Sequence, residues 1–151
     1  MASKLFVAGA AGLADRSIDF ASDTIKVLLL ETSTPYTFDA DQATITAVLA
    51  AGAELNVTGY APGFAGAGRQ TLAGKTITAD TANDRVKFDA TDPAPWTLAS
   101  GKTVAGAVIY KHLTNDGASI PIAFLDPTDL ITNGGTATLQ FHADGCFYQQ
   151  L

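Results

Sequence analysis

This chain of 151 residues has few side chains that could perform chemistry: two histidines (His112 and His142), one cysteine (Cys146) and no acid–base pair that the local sequence suggests. Catalysis relies on titratable groups held in pockets with shifted proton affinities. A sequence this poor in such groups argues against an enzyme, including a hydrolase built on a β scaffold. We therefore expect no catalytic residues and no cofactor, and we interpret the chain as a scaffold or a contact surface.

The scarcity of cysteine and histidine also bears on disulfides and metals. One cysteine cannot form an internal disulfide, so the chain suits a reducing compartment or is indifferent to redox conditions. Cys146 precedes two aromatic residues, which indicates a small buried hydrophobe rather than a nucleophile. The histidines are isolated from each other, and the loop pair Asp39 and Asp41 lacks the spacing of a calcium-binding loop. We expect no metal site.

Clustered basic charge and long apolar runs are missing too. The chain has 9 Lys and Arg against 15 Asp and Glu, which gives a net charge of −6, and its cations form no stripe. Because nucleic-acid binding draws on clustered cations, we expect no nucleic-acid partner. No apolar run approaches the roughly 20 residues that a membrane-spanning helix needs, so we expect no membrane partner.

The N-terminal segment is apolar and rich in alanine and glycine. Lys4 followed by residues 5–14 faintly imitates a signal peptide, but the segment has one basic residue and two glycines inside the apolar stretch. We interpret residues 1–19 as an arm that docks on a neighbouring subunit, ahead of a folded domain over residues 20–151. The predicted interface residues are the apolar side chains of this arm and one aromatic side chain of the glycine-rich loop 59–68: Leu5, Phe6, Val7, Leu13 and Phe64.

Most of the remaining sequence has the pattern of short strands and tight turns. Residues 24–31 and 103–111 are apolar on both faces, which predicts buried central strands. Residues 85–89 alternate apolar and charged side chains, as a strand with one solvated face does. Further predicted strands cover residues 69–79, 120–125 and 136–142 and the segment around Phe147.

Only residues 42–55 have a helical pattern, with Asp41 as the predicted N-cap and Gly52 near the end. Several short strands joined by tight turns, without alternating helices, predict an all-β fold. The specific prediction is an antiparallel β-sandwich with one short helix and the N-terminal arm, in which jelly-roll and immunoglobulin-like topologies are both open. Trp96 is expected in the core of this sandwich, with an interface anchor as the alternative.

An ordered series of short segments runs through the chain: Asp23–Leu29, Gly59–Tyr60, Leu72–Thr78, Asp84–Ala90, Trp96, Ala107–Lys111, Pro121–Phe124 and Phe141–Gly145. Together these segments, which span roughly residues 20–148, resemble a group of small virion proteins encoded by tailed bacteriophages. Members of this group are often described as capsid decoration or head-associated structural proteins. The group has no catalytic motif to transfer.

The resemblance implies a non-enzymatic virion structural protein, foremost a capsid decoration or cement protein that binds the outer surface of the shell. The implied partners are the phage major capsid protein and other copies of this chain, as a homo-oligomer. The implied location is the virion, assembled in the host cytoplasm. A tail or fibre component that binds a host glycan is the alternative, and its candidate aromatic residues are Tyr36, Tyr60 and Trp96.

Overall fold

The computed structural model describes residues 2–150, which form an all-β, antiparallel, sandwich-like fold, as the strand and turn patterns predict, with two short helices where one was expected. The elements, in chain order, are β1 (Ala2–Leu5), α1 (Val7–Asp15), β2 (Ile25–Glu31), α2 (Ile45–Ala51), β3 (Gln70–Thr71), β4 (Thr76–Asp80), β5 (Arg85–Asp89), β6 (Trp96–Thr97), β7 (Thr103–Lys111), β8 (Ile120–Asp126), β9 (Leu130–Ile131), β10 (Thr136–Ala137) and β11 (Phe147–Gln150).

The largest sheet has the strand order β1-β8-β7-β2-β3, and β9 pairs with β7 beyond the end of β8. Two smaller sheets, β4-β5-β11 and β6-β10, contribute to the same core. The predicted central strands 24–31 and 103–111 are confirmed as β2 and β7, which pair with each other from Ile25↔Lys111 to Glu31↔Val104. The strand predicted at 85–89 is confirmed as β5.

The large sheet is buried on both faces because its central strands are apolar except near their ends, where Lys26, Glu31, Thr103 and Lys111 lie. In β2, Ile25, Val27 and Leu29 belong to a first core cluster, which also contains Phe88, Trp96 and Phe147 of the smaller sheets. The alternate residues Leu28 and Leu30 belong to a second cluster with Ile45 and Val48 of α2. Successive side chains of a strand point to opposite faces, so one continuous apolar run supplies both cores.

The N-terminal residues are part of this fold, which corrects the expectation of an arm over residues 1–19. Residues Ala2–Leu5 pair with β8, and the amide of Phe6 extends the ladder by donating to the carbonyl of Ile122 at 3.0 Å. The Phe6 side chain is fully buried in the second cluster. The boundary at residue 20 therefore does not separate an arm from a sandwich in this chain.

Helix α1 was not expected, because interior glycines disfavour helices by roughly 0.5–1 kcal/mol each. Its glycines serve close packing instead. A Cβ on Gly9 would lie 2.5 Å from the Cα of Ile122, so the helix contacts the β8 backbone directly, and Gly12 is similarly tight against Ile18. Tertiary packing on the sheet outweighs the local propensity.

Helix α2 confirms the predicted helix in a shorter form. The N-cap is Thr44 rather than Asp41, since the Thr44 hydroxyl accepts from the amide of Ala47 at 3.2 Å, and the helix ends at Ala51 with Gly52 as its C-cap, short of the predicted end at residue 55. The predicted strand 69–79 is divided into β3 and β4 in different sheets, because the chain turns at Gly74 with a φ of +60°. In the predicted strand 136–142, only Thr136 and Ala137 form a ladder.

Candidate functional site

A buried ionic cluster lies beside the glycine-rich loop, and it is the most conspicuous polar feature of the interior. Its centre is Arg69, whose side chain is 0% exposed. One guanidinium nitrogen lies 2.7 Å from a carboxylate oxygen of Glu54, and another lies 2.6 Å from an oxygen of Asp116. The phenol ring of Tyr110 lies beneath the guanidinium, 5.7 Å from its central carbon to the ring centroid.

Every N–H group of the Arg69 side chain has an acceptor. An arginine side chain has five such groups. They donate to Glu54 Oε1 (2.8 Å) and Oε2 (2.7 Å), to Asp116 Oδ1 (2.6 Å) and Oδ2 (3.0 Å), and to the Tyr110 hydroxyl (3.4 Å). Because both carboxylates are engaged as two-point acceptors, the guanidinium has no donor left for a substrate or an anion.

The carboxylate of Glu54 also has all of its hydrogen bonds within the protein. Besides Arg69, its carboxylate accepts from the Tyr60 hydroxyl at 3.0 Å and from the amide of Gly63 at 3.0 Å. The Tyr60 hydroxyl in turn accepts from the amide of Leu29 in β2 at 3.1 Å. The cluster therefore ties the central sheet to the glycine-rich loop and to the 115–117 turn, and we interpret it as a structural clamp.

The pKa values in this cluster shift in the direction that keeps the clamp intact. Burial acts to lower the pKa of the Arg69 guanidinium, but the hydrogen bonds that it donates to Glu54 and Asp116 outweigh this effect and raise that pKa. Burial, reinforced by the charge of Glu54, raises the pKa of the Tyr60 phenol. Arg69 therefore stays a cation and Tyr60 stays a neutral donor.

An aromatic stack lies beside the cluster, with the His112 ring centroid 6.1 Å from that of Tyr110. The rings of Phe64 and His112 are nearly parallel, with centroids 4.6 Å apart. His112 Nδ1 is buried and has no hydrogen-bond partner among residues 2–150. Burial lowers the pKa of His112, and the charges of Lys26 and Arg69 lower it further. The neutral imidazole is therefore the form that this packing favours.

The remaining candidate for chemistry, Cys146, is inert. Its side chain is buried, as the sequence predicts, and its Sγ lies 4.0 Å from a carboxylate oxygen of Asp89. Burial, together with the charge of Asp89, raises the pKa of the Cys146 thiol. Within residues 2–150, no group of three or more His, Cys, Asp or Glu side chains is arranged to hold a metal ion.

The predicted interface residues have different positions in the structure. Phe6 is fully buried, which corrects its assignment to a contact surface; Leu5 and Leu13 are half-buried and pack against the first core cluster. Phe64 is half-buried on His112. Of the five, Val7 is the one with a largely exposed side chain, at 57%.

The most exposed large apolar side chain among the described residues is one that the sequence analysis missed. Ile131 is 72% exposed, and its neighbour Leu130 is 41% exposed. Adjacent residues of a strand point to opposite faces, so both faces of β9 carry accessible apolar surface. Strand β9 pairs with β7 alone, through Thr103 and Val104, and its other edge has no strand partner within residues 2–150.

The surroundings of β9 are concave and contain a fixed ion pair. A hollow of about 410 Å³ lies beside Ile131, between Ser33, Gly101 and Lys102. Lys102 Nζ lies 2.9 Å from Glu31 Oε1. Burial acts to raise the pKa of Glu31, but hydrogen bonds from Ser33, Lys102 and the Asn56 amide lower it overall. We refer to Leu130, Ile131, Glu31 and Lys102 together as the β9 end.

The candidate glycan-binding aromatics do not form a platform. Tyr60 and Trp96 are buried in the first cluster, and the Trp96 indole donates to the carbonyl of Gly68 at 2.8 Å, which confirms the expectation that Trp96 is a core residue. Tyr36 packs against the second cluster, on the other face of the large sheet. The three rings therefore cannot hold one sugar.

Comparisons of the chain with protein-family models, with curated proteins and with solved structures found no match. Neither helix of the described chain is long and apolar enough to cross a membrane.

Proposed function

We propose that this chain is a non-enzymatic virion structural protein of a tailed bacteriophage, which binds the outer surface of the capsid in many copies and stabilises the shell. The proposal assigns the capsid contact to the β9 end. The observation that carries this assignment is the pair of adjacent exposed residues, Ile131 at 72% and Leu130 at 41%, on a strand with one open edge.

The resemblance to small phage virion proteins supports the class of function, and its segments coincide with the structural elements of the sandwich. They include most of β2, β5, β7 and β8, together with the core residue Trp96. The interior polar groups support a scaffold rather than a reactive site, because Arg69 and Glu54 are saturated by each other and by loop groups. What the molecule offers to a partner is therefore shape and apolar area.

A modest contact is sufficient for this function. Burying one isoleucine side chain contributes about 1.5–3 kcal/mol, which is weak for a single copy. A shell presents many equivalent positions, so contacts between copies and with the shell add up without any one of them being tight.

The test is co-sedimentation of the purified protein with capsids that lack it, with the Ile131→Lys variant compared with wild type. Removing this apolar contact corresponds to roughly 10–100-fold weaker binding. Thr81→Lys is the matched control, because Thr81 is exposed in the β4–β5 turn and the substitution adds the same charge. The control should bind like wild type.

Two outcomes contradict the proposal. If wild-type protein binds purified tails or fibres and not capsids, the chain belongs to the tail. If Ile131→Lys binds capsids as tightly as wild type, the contact lies elsewhere and the β9 end is the wrong surface.

A further inference from the structure

Strand β4 is an edge strand without the usual protection. It pairs with β5 on one side and with no strand on the other side within residues 2–150. Its first four residues, Thr76 to Ala79, are all exposed, and none is charged or a proline; the strand's one charged residue is Asp80 at its end. Proteins commonly guard such edges with charges, prolines or bulges, because an open edge is a template for another strand.

The face of β4 that carries Ile77 continues the apolar surface of the first cluster to a position that is exposed to solvent. In the three-stranded sheet, Ile77 lies opposite Phe88, and Phe88 lies opposite Phe147. Phe88 and Phe147 are 5% and 1% exposed, whereas Ile77 is 50% exposed. The row across the sheet is therefore buried at Phe88 and Phe147 and exposed at Ile77.

A groove runs beside this open position. It has a volume of about 510 Å³, and its apolar lining comes from Ile77, Val86 and Phe88 of the sheet, from Leu13 of α1 and from Ile18 and Phe20 of the segment between α1 and β2. Its polar lining residues are Arg16, Asp19 and Gln149. The groove and the strand edge lie next to each other, so a strand added to β4 would have an apolar surface to pack on.

We propose that β4 is a self-association surface, on which β4 of a second copy pairs in antiparallel orientation about a twofold axis. Opposite residues of an antiparallel pair lie on the same face, so a pairing centred on Thr78 places Ile77 opposite Ala79 of the second copy. Because of the twofold axis, the Ile77 side chain of each copy then faces the smaller Ala79 side chain of the other copy, next to the groove. The two Thr78 side chains face each other on the outer surface.

The charges at the two ends of β4 favour this orientation. Lys75 precedes the strand, and Asp80 ends it. Asp80 shares Arg85 with Asp144, and two carboxylates around one guanidinium leave that end negative. Antiparallel pairing brings each Lys75 toward the negative end of the other copy, whereas parallel pairing would bring like charges together.

The β9 edge is the competing surface, and it suits a second strand less well. It comprises two residues, and Pro127 separates it from β8. Strand β4 has five residues and an adjacent apolar groove. The pairing at β4 is independent of the capsid contact, which we place at the β9 end.

The test is sedimentation velocity of the full chain over a wide concentration range. A small edge-to-edge interface lies below the standard size, so we expect a dimer with a Kd of about 10–100 µM. Ile77→Lys should weaken the dimer by at least about tenfold, because it removes the apolar contact and adds a charge. Ile131→Lys is the matched control, since it makes the same substitution at the other exposed edge, and it should dimerise like wild type.

A second variant keeps the proposal testable if Ile77→Lys fails to fold. Thr78→Cys should form an intermolecular disulfide under mild oxidation, faster than Ile131→Cys, because the twofold axis brings the two 78 positions together. Cys146 does not interfere, since it is buried. A wild-type chain that stays monomeric throughout, an Ile77→Lys variant that dimerises like wild type, or equal crosslinking of the two cysteine variants would each overturn the proposal.

Discussion

Two arginines of this chain each bridge two carboxylates, and they differ in burial. Arg69 joins Glu54 to Asp116 with a side chain that is 0% exposed. Arg85 joins Asp80 to Asp144 with a side chain that is 13% exposed, and Asp144 is 43% exposed. The shortest distance in each pairing is similar, between 2.6 and 2.8 Å.

The comparison shows that the same ionic geometry serves two purposes. At Arg69, water is excluded from the guanidinium and nearly so from Glu54, so these two charges need each other and the cluster holds the glycine-rich loop against the sheet; Asp116, at 21%, is the exposed side of this cluster. At Arg85, water reaches the guanidinium and, above all, Asp144, and can replace the partner there, so the pairing contributes little to stability. Burial, rather than distance, separates a clamp from a surface contact.

The largest expected effect is the loss of the buried arginine. Arg69→Met leaves Glu54 as an uncompensated buried carboxylate and removes the partner of the partly exposed Asp116, which should reduce the free energy of unfolding by about 3–5 kcal/mol. Urea denaturation with an unchanged m-value measures the loss. Arg85→Met is the matched control and should shift the urea midpoint only slightly.

A further variant separates the loss of an ion pair from the loss of packing. Replacing Glu54 by Gln and Asp116 by Asn in the Arg69→Met background removes the unpaired charges. This triple variant should regain part of the lost stability. If Arg69→Met is as mild as Arg85→Met, the clamp interpretation is wrong.

The strands around these clusters were predictable because their signal is local. The apolar runs of β2 and β7 and the alternation of β5 can be read from adjacent residues. Helix α1 had no such signal, since its glycines suit contact with the β8 backbone, which is more than 100 residues away in the sequence. The wrong prediction of an N-terminal arm has the same cause: the pairing between β1 and β8 is a long-range contact, which the local sequence does not indicate.

The clamp itself could not be predicted from the sequence. Arg69 is separated from Glu54 by 15 residues and from Asp116 by 47, and nothing in the local sequence of either carboxylate points to an arginine. The same applies to Phe64, which was assigned to an interface because its ring neighbour, His112, is distant in sequence. The exposure of Ile131 depends on which strands cover β9, which only the fold determines.

A smaller effect concerns the histidine that lies beside the buried cluster. The charges facing His112 are Lys26, Arg69 and Asp116, and the net result lowers its pKa in the folded chain. The unfolded chain therefore binds a proton first as the pH falls. The free energy of unfolding should stay constant above the unfolded pKa of about 6.5 and decrease below it, until His112 is also protonated in the folded state.

The measurement is urea unfolding between about pH 7.5 and pH 5.5, a window that lies above the ordinary pKa values of the carboxylates. His112→Phe keeps an aromatic ring against Phe64 and removes the titrating group. This variant should lose less stability than wild type over the window. Equal losses in the two proteins would show that the decrease comes from another group.

The smallest expected effect is the response of the exposed cluster to salt. Raising the ionic strength to about 1 M shortens the screening length to ~3 Å, which weakens interactions between solvated charges. Any difference between Arg85→Met and wild type should therefore vanish at high salt, whereas the deficit of Arg69→Met should remain, because water and ions do not reach Glu54 or the guanidinium. Arg85 also lies over the ring of Tyr148, with its central carbon 4.9 Å from the ring centroid. An Arg85→Met deficit that persists at high salt would show that this ring contact, and not the ion pairing, is what Arg85 contributes.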